Sequence, residues 1–183
     1  MQRQVTVWHL EMTDPGQLVP SRPLPAHTRL ERVGQPSPEL NRGLYAAVGG
    51  DLFWIDRLAW DYSRWMDWLD RPELETWLLT DDGAPAGYFE LEHQPATGSV
   101  ELASFGLLPA WVGRGLGGAL LEAALRRAWS LGPRRVWLHT CSLDHPSARA
   151  AYEKRGLRLF DTQQQLQELP DDSPGPWPGA QRV

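Results

Sequence analysis

The 183-residue chain contains a single cysteine, Cys141, and lacks the features of a secreted or membrane-spanning protein. One thiol excludes an internal disulfide and cannot by itself form a cysteine-rich zinc site. The longest apolar runs fall far short of 18 residues, so no transmembrane helix is predicted. Residues 1–13 also lack the apolar core of a signal peptide. These absences predict a cytoplasmic protein that does not bind membranes.

Positive charge is also scarce. Lys and Arg total 18 against 23 Asp and Glu, which gives a net charge of −5, and no basic cluster is larger than Arg126-Arg127 or Arg134-Arg135. Nucleic acid is therefore not expected as a partner, because binding its phosphates needs an organised positive surface. Hydrophobic residues make up 42% of the chain, which predicts one ordered domain with a substantial core.

Apolar periodicity predicts an α/β protein in which residues 1–169 form a single domain. The predicted strands are 5–12, 75–80, 86–92, 99–107, 135–139, 157–160 and 163–169, and the predicted helices begin at 38, 62, 115 and 147. Strand 135–139 is mostly apolar, so we expect it to be buried on both faces. Prolines predict a loop over residues 13–38 and a disordered tail over residues 170–183.

The most informative motif lies between the strand at 99–107 and the helix that follows it. It reads Val112-Gly113-Arg114-Gly115-Leu116-Gly117-Gly118. Glycine lets backbone N–H groups turn outward, and the N-terminus of the following helix adds a partial positive charge. Together they predict a binding site for an anion, most naturally a phosphate group. The sequence therefore predicts a phosphate-bearing cofactor.

Two other phosphate-binding classes fit this motif poorly. Gly113-x-Gly115-x-x-Gly118 matches the dinucleotide fingerprint, but residues 109–112 separate the glycines from their strand. The strand at 136–138 is followed by His139 rather than by the acid that would hold a ribose. A P-loop NTPase is excluded because no Gly-Lys-Ser/Thr occurs. A nicotinamide-dependent oxidoreductase remains the alternative enzyme.

Two blocks resemble motifs of the GNAT superfamily of N-acetyltransferases. The first resembles Arg/Gln-x-x-Gly-x-Gly/Ala, with Val112 at the Arg/Gln position and Gly115 and Gly117 at the glycine positions. The second resembles Asn-x-x-Ala followed by Tyr, with His145 in place of Asn, then Ala148 and Tyr152. The resemblance covers residues 75–160.

The resemblance implies a mixed, mostly antiparallel, splayed sheet flanked by helices. It also implies transfer of an acetyl group from acetyl-coenzyme A, the co-substrate, to a primary amine by direct attack on the thioester. No metal is expected. The residues it assigns to acetyl-coenzyme A are Phe105, Gly106, Leu107, Val112, Gly113, Arg114, Gly115, Leu116, Gly117, Gly118, His145, Ala148 and Tyr152.

The resemblance further implies that Tyr152 donates a proton to the departing thiolate, although a helix aromatic of this kind also packs in cores. Glu101 is the expected general base. A water relay, Glu90 and Glu92 are the alternatives. His139 and His145 flank the expected cleft, as either participants or structural hydrogen-bonding groups, and Cys141 fits a small buried role.

Aromatic residues crowd the segment 53–68, where the family builds its acceptor pocket, and Asp residues lie among them. This composition is compatible with a cationic acceptor. The expected partner is a small-molecule or peptide amine whose identity the sequence leaves open, as it leaves open a homodimer. A catalytically silent module that binds acyl-coenzyme A as a sensor or partner subunit is the alternative to an enzyme.

Overall fold

Seven strands form one sheet in the computed structural model, which describes residues 1–180. The order across the sheet is β2-β3-β4-β5-β6-β1-β7, and every neighbouring pair is antiparallel except β5–β6. The strands are β1 (Gln2–Met12), β2 (Thr28–Arg32), β3 (Leu74–Asp81), β4 (Ala84–Gln94), β5 (Ser99–Leu107), β6 (Arg135–Cys141) and β7 (Arg158–Glu168). This arrangement confirms the predicted fold class.

Four α-helices in the described part of the chain cover the sheet: α1 (Pro38–Gly49), α2 (Tyr62–Leu69), α3 (Leu116–Ser130) and α4 (Ala148–Lys154). Capping side chains define where two of them begin. The Ser37 hydroxyl accepts the N–H of Leu40, and the Asp61 carboxylate accepts the N–H of Arg64 at 2.8 Å. None of these helices is long and apolar enough to cross a bilayer.

The main core lies between α3 and one face of the sheet. Leu120, Leu121 and Leu125 of α3 are almost fully buried and belong to one cluster with Phe89 and Val136. Burying a side chain of this size contributes about 1.5–3 kcal/mol. On the opposite face, α1 packs on β4 and β5, and α2 packs on β3.

Three details of the strands correct the sequence prediction. A loop was expected over residues 13–38, but residues 28–32 form the edge strand β2, whose mostly exposed side chains give no apolar signal. Strand β6 is not buried on both faces, because Val136 and Leu138 face α3 while His139 on the other face is exposed. The two strands expected over 157–169 are one continuous strand, β7, which is exposed along almost its whole length.

Residues 170–180 contain no helix or strand, but they contact the rest of the molecule. The Gly175 N–H donates to the Gly50 carbonyl oxygen at 2.9 Å, and the Ser173 hydroxyl donates to the same oxygen. The single domain over residues 1–169 and the disorder of the segment after it stay predictions. Residues 181–183 of that segment lie outside the described residues.

Candidate functional site

The two parallel strands at the centre of the sheet separate along their length. β5 and β6 pair only at Ser99–Arg135, Val100–Val136 and Glu101–Trp137. Beyond these pairs, Phe105, Gly106 and Leu107 have partners in β4 but none in β6. Backbone groups of β5 on that side are therefore free to bond an extended ligand. We call the gap between the two strands the splay.

Side chains close the walls of the splay. The ring of Phe105 meets the ring of Tyr152 edge-on, with 6.1 Å between the centroids. At Gly106 a Cβ would lie 2.3 Å from Val48 Cγ1, so α1 packs directly on the strand backbone there. Leu107 lies at the end of β5 beside the glycine-rich turn. The gap thus runs from the middle of the sheet to the start of α3.

The glycine-rich turn presents free N–H groups. The N–H groups of Val112 and Arg114 are used within the turn, each donating at 3.3 Å to a preceding carbonyl. Gly113 and Gly115 have φ values of +82° and +81°, and a Cβ at either would meet no atom within 4 Å. Within residues 1–180, the N–H groups of Gly113, Gly115 and Gly117 have no hydrogen-bond partner. Open donors at the N-terminus of a 15-residue helix have the chemistry that suits an anion.

The first turn of α3 is fixed from two sides. The Leu116 side chain is buried in the core, and a Cβ at Gly117 would lie 3.7 Å from Leu107. A Cβ at Gly118 would lie 2.9 Å from the Ser21 hydroxyl oxygen. The Ser21 N–H in turn bonds to the carboxylate of Glu122 on α3. Ser21 borders the candidate site without any local motif that could have predicted its position.

An acidic side chain holds the residue that precedes the turn. The Trp111 indole N–H donates to Asp81 Oδ2 at 2.8 Å, and the guanidinium of Arg114 lies 5.8 Å from the Trp111 ring. Asp81 Oδ1 bonds His27 Nδ1 at 2.5 Å. The hydrogen bonds from Trp111 and His27 lower the pKa of Asp81. The potential metal-ligand atoms of His27, Asp81 and Asp82 lie within 4.8 Å of one another. The hydrogen bonds of Asp81 to Trp111 and His27 account for this arrangement without a metal ion. The expected absence of a metal stays a prediction.

His145, Ala148 and Tyr152 lie at the start and in the body of α4. The Nδ1 atom of His145 accepts the Ser147 N–H at 3.3 Å and lies 2.8 Å from the Ser147 hydroxyl oxygen. Ala148 packs against the main core. The Tyr152 side chain is buried, and its hydroxyl makes no hydrogen bond to any described residue. Burial first, and then the charge of Asp144, raises the pKa of Tyr152, so the phenol stays protonated at neutral pH.

Glu101 lies where the splay opens, on the face opposite α3. Its Oε2 atom accepts a hydrogen bond from Gln94 Nε2 at 2.9 Å, and its Oε1 atom lies 3.4 Å from His139 Nδ1. The Glu101 side chain is only 13% exposed, whereas that of His139 is 51% exposed. The hydrogen bond to Glu101 is the main cause that raises the pKa of His139. The structure thus pairs the expected base with a histidine that the sequence left without a role.

The two competing carboxylates are committed to structural contacts. Glu90 is 1% exposed and accepts hydrogen bonds from Asn41 at 2.8 Å, Arg57 at 2.7 Å and Trp68 at 3.0 Å. Glu92 pairs with Arg71. In the sequence, Glu90 lies between Phe89 and Leu91 of a predicted strand, and this pattern could have indicated a buried carboxylate that needs a partner. The identity of that partner had no sequence signal.

The aromatic segment forms a cage around an internal cation. The Arg57 guanidinium lies 4.4 Å from the Trp68 ring, 5.2 Å from the Trp60 ring and 5.7 Å from the Tyr45 ring. Trp65 is fully buried in the same cluster. Two of the aromatic residues that the sequence offered to an acceptor, Trp60 and Trp68, therefore enclose a side chain of the protein itself. Phe53 packs in a different cluster, and Tyr62 is exposed.

The comparisons with known proteins place these features in a family. The model of the acetyltransferase (GNAT) family matches residues 43–157, which include the splay, the glycine-rich turn and Tyr152. A search of curated proteins finds no match.

Solved structures share the fold at low sequence identity. A GCN5-related N-acetyltransferase from Sphaerobacter thermophilus is 21% identical over 90% of this chain and 53% of its own, with a TM-score of 0.64. One from Kribbella flavida is 22% identical over 88% of this chain and 57% of its own, with a TM-score of 0.61. A tandem GNAT protein from the clavulanic acid biosynthesis pathway is 17% identical over 88% and 53%, with a TM-score of 0.60. The chain spans little more than half the length of these proteins, and at such identities the likeness concerns the fold alone.

Proposed function

We propose that this chain, which belongs to the acetyltransferase (GNAT) family, transfers an acetyl group from acetyl-coenzyme A to a primary amine. One observation carries the proposal. Unpaired N–H groups in the glycine-rich turn lie next to a sheet gap whose backbone groups are also unpaired. This combination suits a ligand with a pyrophosphate followed by an extended amide-containing arm, which coenzyme A has.

The residues of the turn fit the pyrophosphate by their chemistry. The absence of side chains at Gly113 and Gly115 leaves open space, and the α3 N-terminus favours negative charge. Arg114 adds a cation beside the turn. The arm would lie in the splay and pair with β5 at Phe105, Gly106 and Leu107. The His145 Nδ1 atom already accepts the N–H of Ser147 just before α4, so the arm would contact this helix through Ala148 and Tyr152.

Acetyl-coenzyme A supplies the activated thioester as a substrate. In the reaction the amine nitrogen bonds to the carbonyl carbon, the carbon–sulfur bond breaks, and the electron pair leaves with sulfur. Backbone N–H groups of β5 that face the splay stabilise the negative charge on the carbonyl oxygen. The Tyr152 hydroxyl gives its proton to the sulfur and recovers one from solvent. Burial and the charge of Asp144 raise the pKa of Tyr152, so the phenol carries its proton in the free protein.

The amine must lose a proton on the other side of the sheet, where Glu101 lies. Carboxylates of Glu101, Asp56 and Asp144 all act electrostatically on His139 at this position. Their combined charge favours an amine that carries positive charge. The acceptor class is therefore a cationic small-molecule or peptide amine.

Two measurements test the proposal. Acetyl-coenzyme A at 100 times its Kd should stabilise the protein by about 2.7 kcal/mol, which raises Tm by roughly 5–10 °C. NAD at the same concentration should leave Tm unchanged. A panel of polyamines, amino sugars and basic peptides should then release free thiol from acetyl-coenzyme A in an enzyme-dependent way. Stabilisation by acetyl-coenzyme A without turnover of any amine would instead support the sensor alternative.

A further inference from the structure

We infer that the His139 imidazole takes the proton from the attacking amine, and that Glu101 acts through it as a positioning residue. The inference rests on the proposed acetyl transfer and concerns which group performs one step of it.

A chain of hydrogen bonds fixes Glu101 behind His139. The Trp137 indole N–H donates to Gln94 Oε1 at 3.1 Å, and Gln94 Nε2 donates to Glu101 Oε2 at 2.9 Å. The remaining carboxylate oxygen, Oε1, lies 3.4 Å from His139 Nδ1. Both oxygens of Glu101 are therefore engaged within the protein, and the carboxylate is largely covered. An incoming amine meets the half-exposed imidazole first.

The position of the carboxylate selects the imidazole tautomer. A neutral imidazole with its proton on Nδ1, toward Glu101, carries its lone pair on Nε2. Nε2 is then the atom that can accept a proton from a ligand. This arrangement matches the general requirement for a base whose own orientation is set by a third group.

The electrostatic surroundings stabilise the imidazolium that the step creates. Glu101 on β5 lies beside His139, and the ring of His9 on β1 has its centroid 6.0 Å away. Asp144, which follows β6, and Asp56, which precedes α2, act on His139 through their charge. The hydrogen bond and charge of Glu101 raise the pKa of His139, partial burial lowers it, and the two Asp residues raise it further. The net pKa lies above the ordinary value of about 6.5. The neutral base therefore forms as pH rises through that higher value.

Other titratable groups near the splay are less suited to this step. Glu90 is enclosed by its three donors. The Nδ1 atom of His9 is buried, so this ring is less accessible than that of His139. In the step itself, His139 Nε2 receives the proton as the amine nitrogen bonds to the carbonyl carbon. The imidazolium then returns that proton to water, while the sulfur receives its proton from Tyr152.

The test is the pH profile of kcat/KM with an amine that the wild-type protein acetylates. We expect activity to rise with pH through a pKa above 6.5. His139→Gln should lose this rise and lower kcat about 100-fold, and added imidazole should restore part of the rate. Glu101→Gln should keep the rise but move it to lower pH, because the group that raises the imidazole pKa is gone. His93→Gln on β4 is the matched control and should match the wild type.

The outcomes separate the two proposals. The pH profile is measured with two acceptors whose amines differ in pKa. If an enzyme group causes the increase in kcat/KM, it occurs at the same pH for both acceptors, whereas an increase caused by deprotonation of the amine occurs at a different pH for each. Tm and the Kd for acetyl-coenzyme A verify that each variant is folded and loaded. If His139→Gln and His139→Asn keep the wild-type rise, or if Glu101→Gln alone abolishes it, His139 is not the base. If the wild type binds acetyl-coenzyme A but acetylates no amine, the proposed function itself fails.

Discussion

The two sides of the splay are built from different parts of the chain. On the cofactor side, one contiguous segment offers backbone N–H groups in an open turn, and its key positions carry no side chain. On the side where we propose that the acceptor binds, here called the acceptor side, Asn41, Arg57, Trp68 and Glu90 come from four separate segments and interlock through buried side-chain hydrogen bonds. Substitutions in the glycine-rich turn should therefore mainly change binding, whereas substitutions in the buried network around Glu90 should mainly change stability.

Removing Arg57 should give the largest effect. Arg57→Ala leaves Glu90 buried without its counter-charge, and breaking such a pair costs about 3–5 kcal/mol. Urea denaturation should report this loss in the free energy of unfolding. Arg71→Ala is the matched control, since the Arg71–Glu92 pair is more exposed and should contribute about 1 kcal/mol or less. Equal losses for the two variants would mean that the buried cluster does not organise the acceptor side.

Removing the Tyr152 hydroxyl should change catalysis and leave the fold intact. Tyr152→Phe should lower kcat about 100-fold, or roughly 2.7 kcal/mol in activation free energy. The ring packing against Phe105 is kept, and the hydroxyl bonds to no described residue, so Tm and the Kd for acetyl-coenzyme A should hold. Tyr62→Phe removes a phenol hydroxyl from an exposed ring and is the matched control, whose kcat should equal that of the wild type. Unchanged kcat would remove Tyr152 from the proton transfer.

A pair of glycine substitutions separates binding from backbone strain. Gly115→Ala places a Cβ at a φ of +81°, which costs about 1–2 kcal/mol, and should weaken acetyl-coenzyme A binding about 10-fold as the turn relaxes. Gly132→Ala imposes a similar strain at a φ of +76° after the C-terminus of α3, at the far end of the helix from the turn and also in open space. It should lower stability equally and leave the Kd unchanged. Equal Kd values for both variants, measured by calorimetry, would contradict the role of the turn.

The smallest effect is a pH dependence at Asp81, the acidic residue that holds Trp111 on the cofactor side. Its pKa is lowered in the folded state by hydrogen bonds from Trp111 and His27, so it contributes stability above its ordinary pKa of 3.8. That stability is lost as pH falls through the lower folded value. Asp81→Asn should therefore flatten the acid limb of a Tm-against-pH profile. An unchanged limb would show that Trp111 is held without this charge.

The contiguous parts of the molecule were predictable from sequence. Strand β5 was expected over the same residues, 99–107, that the structure gives, and α2 was expected to begin at residue 62, where the structure begins it. Glycines before an apolar helix pattern predicted the turn and the start of α3. In each case the physical cause is local, since caps, turns and periodicity act over a few residues.

The network on the acceptor side was not predictable, because its partners are distant in sequence. Arg57 and Glu90 are 33 positions apart, and only the tertiary fold brings them together. Aromatic residues crowd segment 53–68 in the sequence, but composition could not show that Trp60 and Trp68 pack on Arg57 of the same segment. The pairing of His139 with Glu101 likewise follows from strand register, which no single stretch of sequence encodes.

The most direct test of the account is a crystal structure of the protein with coenzyme A. The account predicts pyrophosphate oxygens at about 2.7–3.2 Å from the N–H groups of Gly113, Gly115 and Gly117, with the pantetheine arm between β5 and β6 and its sulfur beside Tyr152. Coenzyme A bound elsewhere, or a turn without ligand at a saturating concentration, would contradict it.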